Sequence, residues 1–102
     1  MDRRKVVVTG LGAVSPLGNS VDELWAGLRA GRSGIGPITN VDCSDLAVKI
    51  AGEVRNFDPS LRMDAKEAKK MDRFSQFAVY ATMEALADAG LEEGDLESER
   101  TG

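Results

Sequence analysis

The sequence of 102 residues contains no histidine and a single cysteine, Cys43. Without histidine the usual zinc-site patterns are missing, and so are the commonest general base near neutral pH and every Ser-His or Cys-His pair. Cys43 cannot form an internal disulfide, and it lies in the run VDCSDL with no basic neighbour to activate its thiol. We therefore expect an incidental or structural thiol, no bound metal, and no complete set of catalytic groups within this sequence.

The sequence also lacks a long hydrophobic run, although 42% of its residues are apolar. No apolar stretch approaches the roughly 20 residues that span a bilayer. The basic start MDRRK is followed by a short strand-like run rather than by a signal-peptide core. These features predict one cytoplasmic domain with no membrane partner.

Basic charge does not dominate the chain, whose net charge is −4. The excess of acid is concentrated near the end of the sequence, where only Arg100 offsets Glu92, Glu93, Asp95, Glu97 and Glu99. This balance argues against nucleic-acid binding through overall charge, but it leaves local basic patches meaningful.

The first half of the chain carries signals for a strand, a helix and a second strand. Lys5 to Thr9, with three consecutive valines, is typical of a strand buried on both faces in a parallel sheet. Ser20 and Glu23 form a capping box, and Gly31 ends the helix predicted over 21–30. The glycine-rich run 31–39 predicts a loop, because three glycines and a proline interrupt a regular ladder. Alternation over 48–54 predicts a half-exposed strand, with these residues on its apolar face: Val48, Ile50 and Val54.

The second half predicts two consecutive helices. Asp64 and Asp72 are both placed as caps, which indicates a short helix near 65–71 and a longer one near 73–89. Small residues recur on the longer helix and would allow close approach of a neighbouring backbone. Gly90 followed by Leu91 predicts a Schellman ending, and the stretch EEGDLESERTG, residues 92–102, predicts a solvated connection.

The order strand, helix, strand, helix, helix indicates an α/β fold. Two strands make a poor sheet, and a strand buried on both faces needs neighbours on both sides. We therefore expect residues 1–102 to be an incomplete part of a larger α/β domain.

The segment VVVTGLGAVSPLG, residues 6–18, partly matches a dinucleotide-binding turn. Gly10 and Gly12 fit the G-x-G-x-x-G pattern, but Ser15 occupies the place of the third glycine. The predicted helix begins only near Val21, too far along to direct its N-terminus at a phosphate held by the glycines. A simple glycine-containing tight turn, with the Ser15 hydroxyl as part of it, is the favoured interpretation.

Two long motifs carry a more specific resemblance. VVVTGLGAVSPLGNSVDELWAGLRAGRSGI and KKMDRFSQFAVYATMEALADAGL resemble the amino-terminal part of the β-ketoacyl-acyl-carrier-protein synthases, closer to the synthase II type than to synthase I. The resemblance implies a thiolase-like five-layered αβαβα fold, a homodimer, and decarboxylative Claisen condensation of an acyl-enzyme thioester with malonyl carried by acyl carrier protein. It implies no metal or redox cofactor, and it places the catalytic cysteine and two histidines beyond this sequence.

The candidate functional residues are basic: Lys66, Lys69, Lys70 and Arg73. On a continuous helix their spacing would align all four on one face. By itself that pattern is typical of a solvated face, relieved by nearby acidic residues. The resemblance instead implies that the cluster binds the acidic acyl carrier protein, with Arg73 the weakest member because a cap at Asp72 would turn it away.

Two alternatives stay open at this point. The chain could belong to a ketosynthase of polyketide synthesis, or it could be a free-standing module that binds an acidic helical protein through residues 66–73. Trp25 is expected to be a core anchor rather than part of a binding site. Phe74 and Phe77 are expected to be helix-packing residues rather than walls of an acyl tunnel.

Overall fold

The computed structural model describes residues 3–96, which form three α-helices and two short β-strands. In chain order they are α1 (Val21–Arg29), β1 (Ile35–Pro37), β2 (Ile50–Gly52), α2 (Ala65–Ala68) and α3 (Arg73–Ala89). Single 3₁₀ turns lie at Pro59–Leu61 and Glu93–Asp95. The expected solvated connection lies outside the described residues from residue 97 onward.

Helix α3 is the element against which the glycine-rich N-terminal segment packs. A Cβ added to Gly12 would overlap the carbonyl oxygen of Ala81, and one added to Gly10 would overlap that of Ala85. Neither glycine has a positive φ, so neither is required for a left-handed turn. The glycines allow two backbones to touch, which confirms the close approach predicted from the small residues of this helix.

Two carboxylates of α3 bind the backbone that the glycines bring close. Glu84 accepts hydrogen bonds from the Ala13 N–H at 2.9 Å and from the Val21 N–H at 3.0 Å. Asp88 accepts one from the Leu11 N–H at 3.0 Å. These bonds satisfy amides that have no strand partner, including one at the start of α1.

Helix α1 begins at the predicted cap. The Ser20 hydroxyl accepts a hydrogen bond from the Glu23 N–H at 3.1 Å, while the Glu23 carboxylate accepts one from the Asn19 N–H at 2.8 Å. The second half of the capping box is thus shifted by one residue. The predicted burial of Trp25 is wrong for the described chain, because its side chain is 59% exposed on a helix face that no other described element covers.

The two predicted C-terminal helices are confirmed, with α2 shorter than expected. Asp64 caps α2 by accepting a hydrogen bond from the Lys66 N–H at 2.9 Å. At the end of α3, Gly90 adopts φ 72° and the Leu91 N–H donates to the Leu86 carbonyl at 2.9 Å. This is the 6→1 bond of the predicted Schellman ending.

The strand predicted over residues 5–9 is not formed. Residues 3–14 have no regular secondary structure, and Val6 is 91% exposed. A strand exists only where another strand supplies hydrogen-bond partners, and none of the residues 3–96 does so here. The valine run therefore has the composition of a buried strand without the neighbours that would bury it.

A two-stranded antiparallel hairpin replaces the loop predicted over 31–39. Strand β1 pairs with β2 in the register Ile35↔Gly52, Gly36↔Ala51 and Pro37↔Ile50. Proline is tolerated because both strands of a two-stranded sheet are edge strands. The predicted loop is wrong at these three residues, because a proline on an edge does not have to supply an internal ladder bond.

The inward and outward faces predicted for residues 48–54 are reversed at three positions. Glu53 is only 8% exposed, whereas Val48 and Ile50 are exposed. The Glu53 carboxylate accepts hydrogen bonds from the Thr39 N–H and hydroxyl and from the Asn40 N–H, at 2.9–3.1 Å. These donors, the Asn40 N–H first, lower the pKa of Glu53 from its ordinary value of 4.5. A fully bonded carboxylate can be buried where a lone one cannot.

The chain buries few of its apolar side chains. The buried hydrophobic residues in the described part are Ala68 and Tyr80. The radius of gyration of the Cα atoms is 17.1 Å, compared with about 13 Å expected for a compact domain of this length. Residues 3–96 thus present apolar surface that a self-contained domain of this length would enclose.

The contact between the glycine-rich segment and α3 gives a first prediction. Gly12→Ala should lower the free energy of unfolding by about 2 kcal/mol or more, because the new methyl group overlaps backbone that cannot move without distorting α3. Denaturant unfolding measures the change. Gly94→Ala is the matched control, since nothing lies within 4 Å of the position of its added Cβ. Equal unfolding midpoints for the two variants would contradict the packing described here.

The environment of Glu53 gives a second prediction, for the pH dependence of stability. Its folded pKa is lowered, so its ionised form stabilises the fold above the unfolded pKa, and that stabilisation is lost as pH falls through the folded pKa. Glu53→Gln should therefore cost stability near neutral pH and cost progressively less below about pH 4.5. Unfolding curves at a series of pH values measure this, with the exposed Asp45→Asn as control. A loss of stability in Glu53→Gln that is the same at every pH would contradict this prediction.

Candidate functional site

The candidate basic cluster lies where α2 ends and α3 begins. Lys69 is the C-cap of α2, and Asp72 precedes α3 with an extended backbone, φ −65° and ψ 157°. The Asp72 side chain makes no capping hydrogen bond. The chain therefore turns between the two helices, and the four basic residues do not share one continuous helix face.

The three lysines of the cluster are exposed: Lys66, Lys69 and Lys70. Lys70 pairs with Glu67, with 3.6 Å between Nζ and Oε1, and both side chains are largely exposed. A solvated pair of this kind contributes little to stability. The lysines thus form a solvated basic surface with one acidic residue among them.

Arg73 is directed at aromatic side chains. Its guanidinium carbon lies 5.0 Å from the Phe77 ring centroid and 5.7 Å from that of Phe57. Its Nη2 donates a hydrogen bond to the Val54 carbonyl at 3.3 Å. A guanidinium over ring faces is attracted by their electron density, so Arg73 is engaged within the chain.

These rings form a small cluster between α3 and the loop before α2. Phe57 makes edge-to-face contacts with Phe77 and Tyr80, each with 4.9 Å between centroids. The guanidinium of Arg62 lies 5.2 Å from the Tyr80 centroid. The predicted packing role of Phe77 is confirmed, but that of Phe74 is wrong for the described chain, because its side chain is exposed.

One contact at this junction was not anticipated from the sequence. The Gln76 side-chain Nε2 donates to the Ala68 carbonyl at 2.8 Å, and the Met71 N–H donates to the same oxygen at 3.1 Å. The end of α2 is thereby attached to α3. A glutamine within a helix has no pattern that distinguishes it from any solvated polar residue, so sequence reasoning had no signal for this bond.

The turn after the glycines has the predicted structural role. Ser15 and Gly18 exchange backbone hydrogen bonds at 2.9 and 3.1 Å, and the Ser15 hydroxyl donates to the Gly18 carbonyl at 3.1 Å. The Asn19 amide donates to the carbonyls of Arg55 and Asn56, which ties this turn to the loop after β2. With Gly10 and Gly12 packed against α3, the simple-turn interpretation is favoured over a phosphate site.

Residues 3–96 contain neither a metal-binding cluster nor a membrane-spanning helix. In that part of the chain, no group of three or more His, Cys, Asp or Glu side chains is arranged to hold a metal ion. None of its helices has both the length and the apolar character needed to cross a membrane.

Comparison with known proteins places the chain in a family. Residues 3–102 match the family described as beta-ketoacyl synthase, N-terminal domain. The chain is 49% identical over 102 residues to 3-oxoacyl-[acyl-carrier-protein] synthase 2 of Synechocystis sp., covering all of this chain and 24% of that protein. It is likewise 49% identical to the protein of the same name from Coxiella burnetii, covering 25% of it. The chain spans about a quarter of the length of these relatives.

A solved structure agrees with the sequence comparisons. The chain is similar to the ishigamide ketosynthase/chain length factor, with a TM-score of 0.84 and 45% identity over 93% of this chain and 24% of that one. It therefore shares the fold of the corresponding part of a ketosynthase. The chain belongs to the β-ketoacyl synthase family, in its N-terminal domain.

Proposed function

We propose that this chain is the amino-terminal segment of a condensing enzyme, and that its basic surface binds acyl carrier protein. In fatty-acid elongation, the enzyme transfers an acyl group from a cysteine thioester to malonyl carried by that protein, as malonyl loses carbon dioxide and the cysteine thiolate leaves. The observation that carries the proposal is the identity of 49% over the whole chain to relatives named 3-oxoacyl-[acyl-carrier-protein] synthase 2.

The exposed apolar surface supports membership of a larger domain. Val6, Val7 and Val8 are exposed, although their composition is that of a buried strand. Burial of apolar side chains is the main favourable term in folding, so such a run is stabilised when further strands cover it. We propose that these residues become a strand within a five-layered thiolase-like fold, assembled as a homodimer.

We place the catalytic residues of the proposed condensation outside this chain. The sequence has no histidine, and Cys43 is half-buried in a loop of acidic composition. A thiol acts as a nucleophile when a neighbouring base or positive charge favours its thiolate. We therefore propose that the catalytic cysteine and its supporting histidines come from the remaining length of the enzyme. The cytoplasmic location stays a prediction from the sequence.

The proposed role of this segment at the active site is delivery of substrate. Lys66, Lys69 and Lys70 are exposed and can attract an acidic protein over several ångströms, and the Lys70–Glu67 pair is solvated and costs little to break. Such attraction raises the association rate more than the final affinity, and it weakens as salt rises. Fast, weak binding suits a carrier that must leave after each transfer. Arg73 is the fourth member of the surface, and its aromatic contacts limit its reach.

The test is charge reversal in the complete synthase. Lys69→Glu and Lys70→Glu should each reduce kcat/KM for the carrier-bound substrate by roughly tenfold at low ionic strength, with the difference shrinking above about 0.3 M salt. Stopped-flow or steady-state kinetics at several salt concentrations measure this. Thermal unfolding should be unchanged, because the lysines are exposed.

Lys49→Glu is the matched control for this experiment. Lys49 is an exposed lysine in the connection before β2, and its reversal changes the net charge by the same amount. It should leave the carrier kinetics close to those of the unaltered enzyme. Equal effects of all three reversals would assign the change to overall charge and would contradict a specific binding surface at residues 66–70.

A further inference from the structure

Helix α2 is too short to hold its own shape. It consists of the single turn Ala65–Ala68, and an isolated helix of that length is not stable in water. Its geometry therefore depends on contacts from other parts of the chain. This matters because α2 and the residues directly after it carry all three exposed lysines of the proposed carrier-binding surface.

The end of α2 is fixed by a neutral side chain of α3. Gln76 lies one turn into α3, is half-buried, and donates from Nε2 to the Ala68 carbonyl at 2.8 Å. Ala68 itself is 2% exposed. The last carbonyls of a helix lack partners within the helix. The Ala68 carbonyl accepts one hydrogen bond from the Met71 N–H, and the bond from Gln76 is its second.

The hydrogen bond from Gln76 to Ala68 lies directly before Lys69 and Lys70 in the chain. Lys69 and Lys70 directly follow Ala68, so the direction in which their backbone leaves α2 is set by the carbonyl that Gln76 holds. Helix α3, with 17 residues and a complete C-terminal cap, supplies the rigid support. Gln76 has no charge, and any influence it has on an electrostatic surface must be exerted through position.

We propose that Gln76 is a positioning residue for the carrier-binding surface formed by Lys66, Lys69 and Lys70. This inference rests on the proposed function. A partner that binds weakly through few contacts loses affinity when the surface must first be ordered, because the ordering cost is subtracted from the binding energy. By holding α2 against α3 before the carrier arrives, Gln76 removes that cost.

The test replaces the donor while keeping the volume and the charge. In the complete synthase, Gln76→Met should raise KM for the carrier-bound substrate by roughly threefold to tenfold while leaving kcat within about twofold, as expected from the loss of one ordering hydrogen bond. The same variant should process a small soluble thioester as the unaltered enzyme does. Backbone amide exchange should accelerate at Lys69 and Lys70, whose N–H groups bond within α2.

Thr82→Val is the matched control on the same helix. It removes the bond from the Thr82 hydroxyl to the Ala78 carbonyl at 2.7 Å, which lies entirely within α3. Thr82→Val should leave the kinetics with both substrates, and the amide exchange of α2, unchanged. A loss of activity with both substrates in Gln76→Met would indicate a general folding role and would overturn the positioning role.

The lysine reversals separate this proposal from the one on which it rests. If Lys69→Glu and Lys70→Glu slow the carrier-bound substrate but Gln76→Met does not, the surface binds the carrier and the positioning role is overturned. If the reversals have no effect, the carrier-binding function fails, and the role of Gln76 in it fails too. A selective rise in KM in all three variants supports both proposals.

Discussion

The approach of the N-terminal backbone to helix α3 is the contact on which the described structure depends. It requires glycine at positions 10 and 12, and it requires small side chains on the facing side of the helix. Once the two backbones touch, Glu84 and Asp88 are near enough to accept hydrogen bonds from amides that have no strand partner. The close packing of the two backbones and the hydrogen bonding of the unpaired amides thus occur at one place, and each depends on the other.

The N-terminal end of helix α3 makes a different set of contacts. Arg73 and Phe77 hold the loop after β2, and Gln76 holds the end of α2. The exposed lysines are therefore displayed on a short turn whose position is set by a long helix. In this arrangement the residues that determine where the positive charge lies are not the residues that carry it.

The helices could be predicted from the sequence because their ends are encoded locally. Ser20, Asp64 and Gly90 act through bonds to residues at most four positions away, so a single sequence contains all the information needed. The separation of α2 from α3 was predicted from a side-chain cap at Asp72, but Asp72 makes no capping hydrogen bond, so that reason is wrong although two separate helices form. Arg73 contacts Phe57 and Phe77 instead of extending one helix face with the lysines.

The strands could not be predicted in the same way, because a strand depends on partners distant in sequence. The valine run from Val6 has a strand composition and no partner among residues 3–96, whereas β1 contains proline and still pairs. Burial was misassigned for a related reason. Glu53 is buried because Thr39 and Asn40 supply its donors, and Trp25 is exposed because no described element covers its helix face.

Membership of a family of longer proteins explains why the helix ends could be predicted from this chain while the valine strand and the burial of Trp25 could not. The relatives are about four times as long, and the proposed remainder of the fold would supply strands for the valine run and cover for exposed apolar side chains. Within residues 3–96, α3 already contacts the glycine-rich segment and the end of α2, while Phe74 on the same helix stays exposed. The glycine-rich turn, the start of α1 and the basic surface therefore have a common support.

Native-state amide exchange tests this common support most directly. If α3 holds both the N-terminal segment and α2, the amides of Ala13, Val21 and Lys69 should open together with those in the middle of α3, with one shared opening free energy. If instead Ala13 and Lys69 exchange by separate, lower-energy openings while α3 stays protected, the helix does not organise the chain and the account is contradicted.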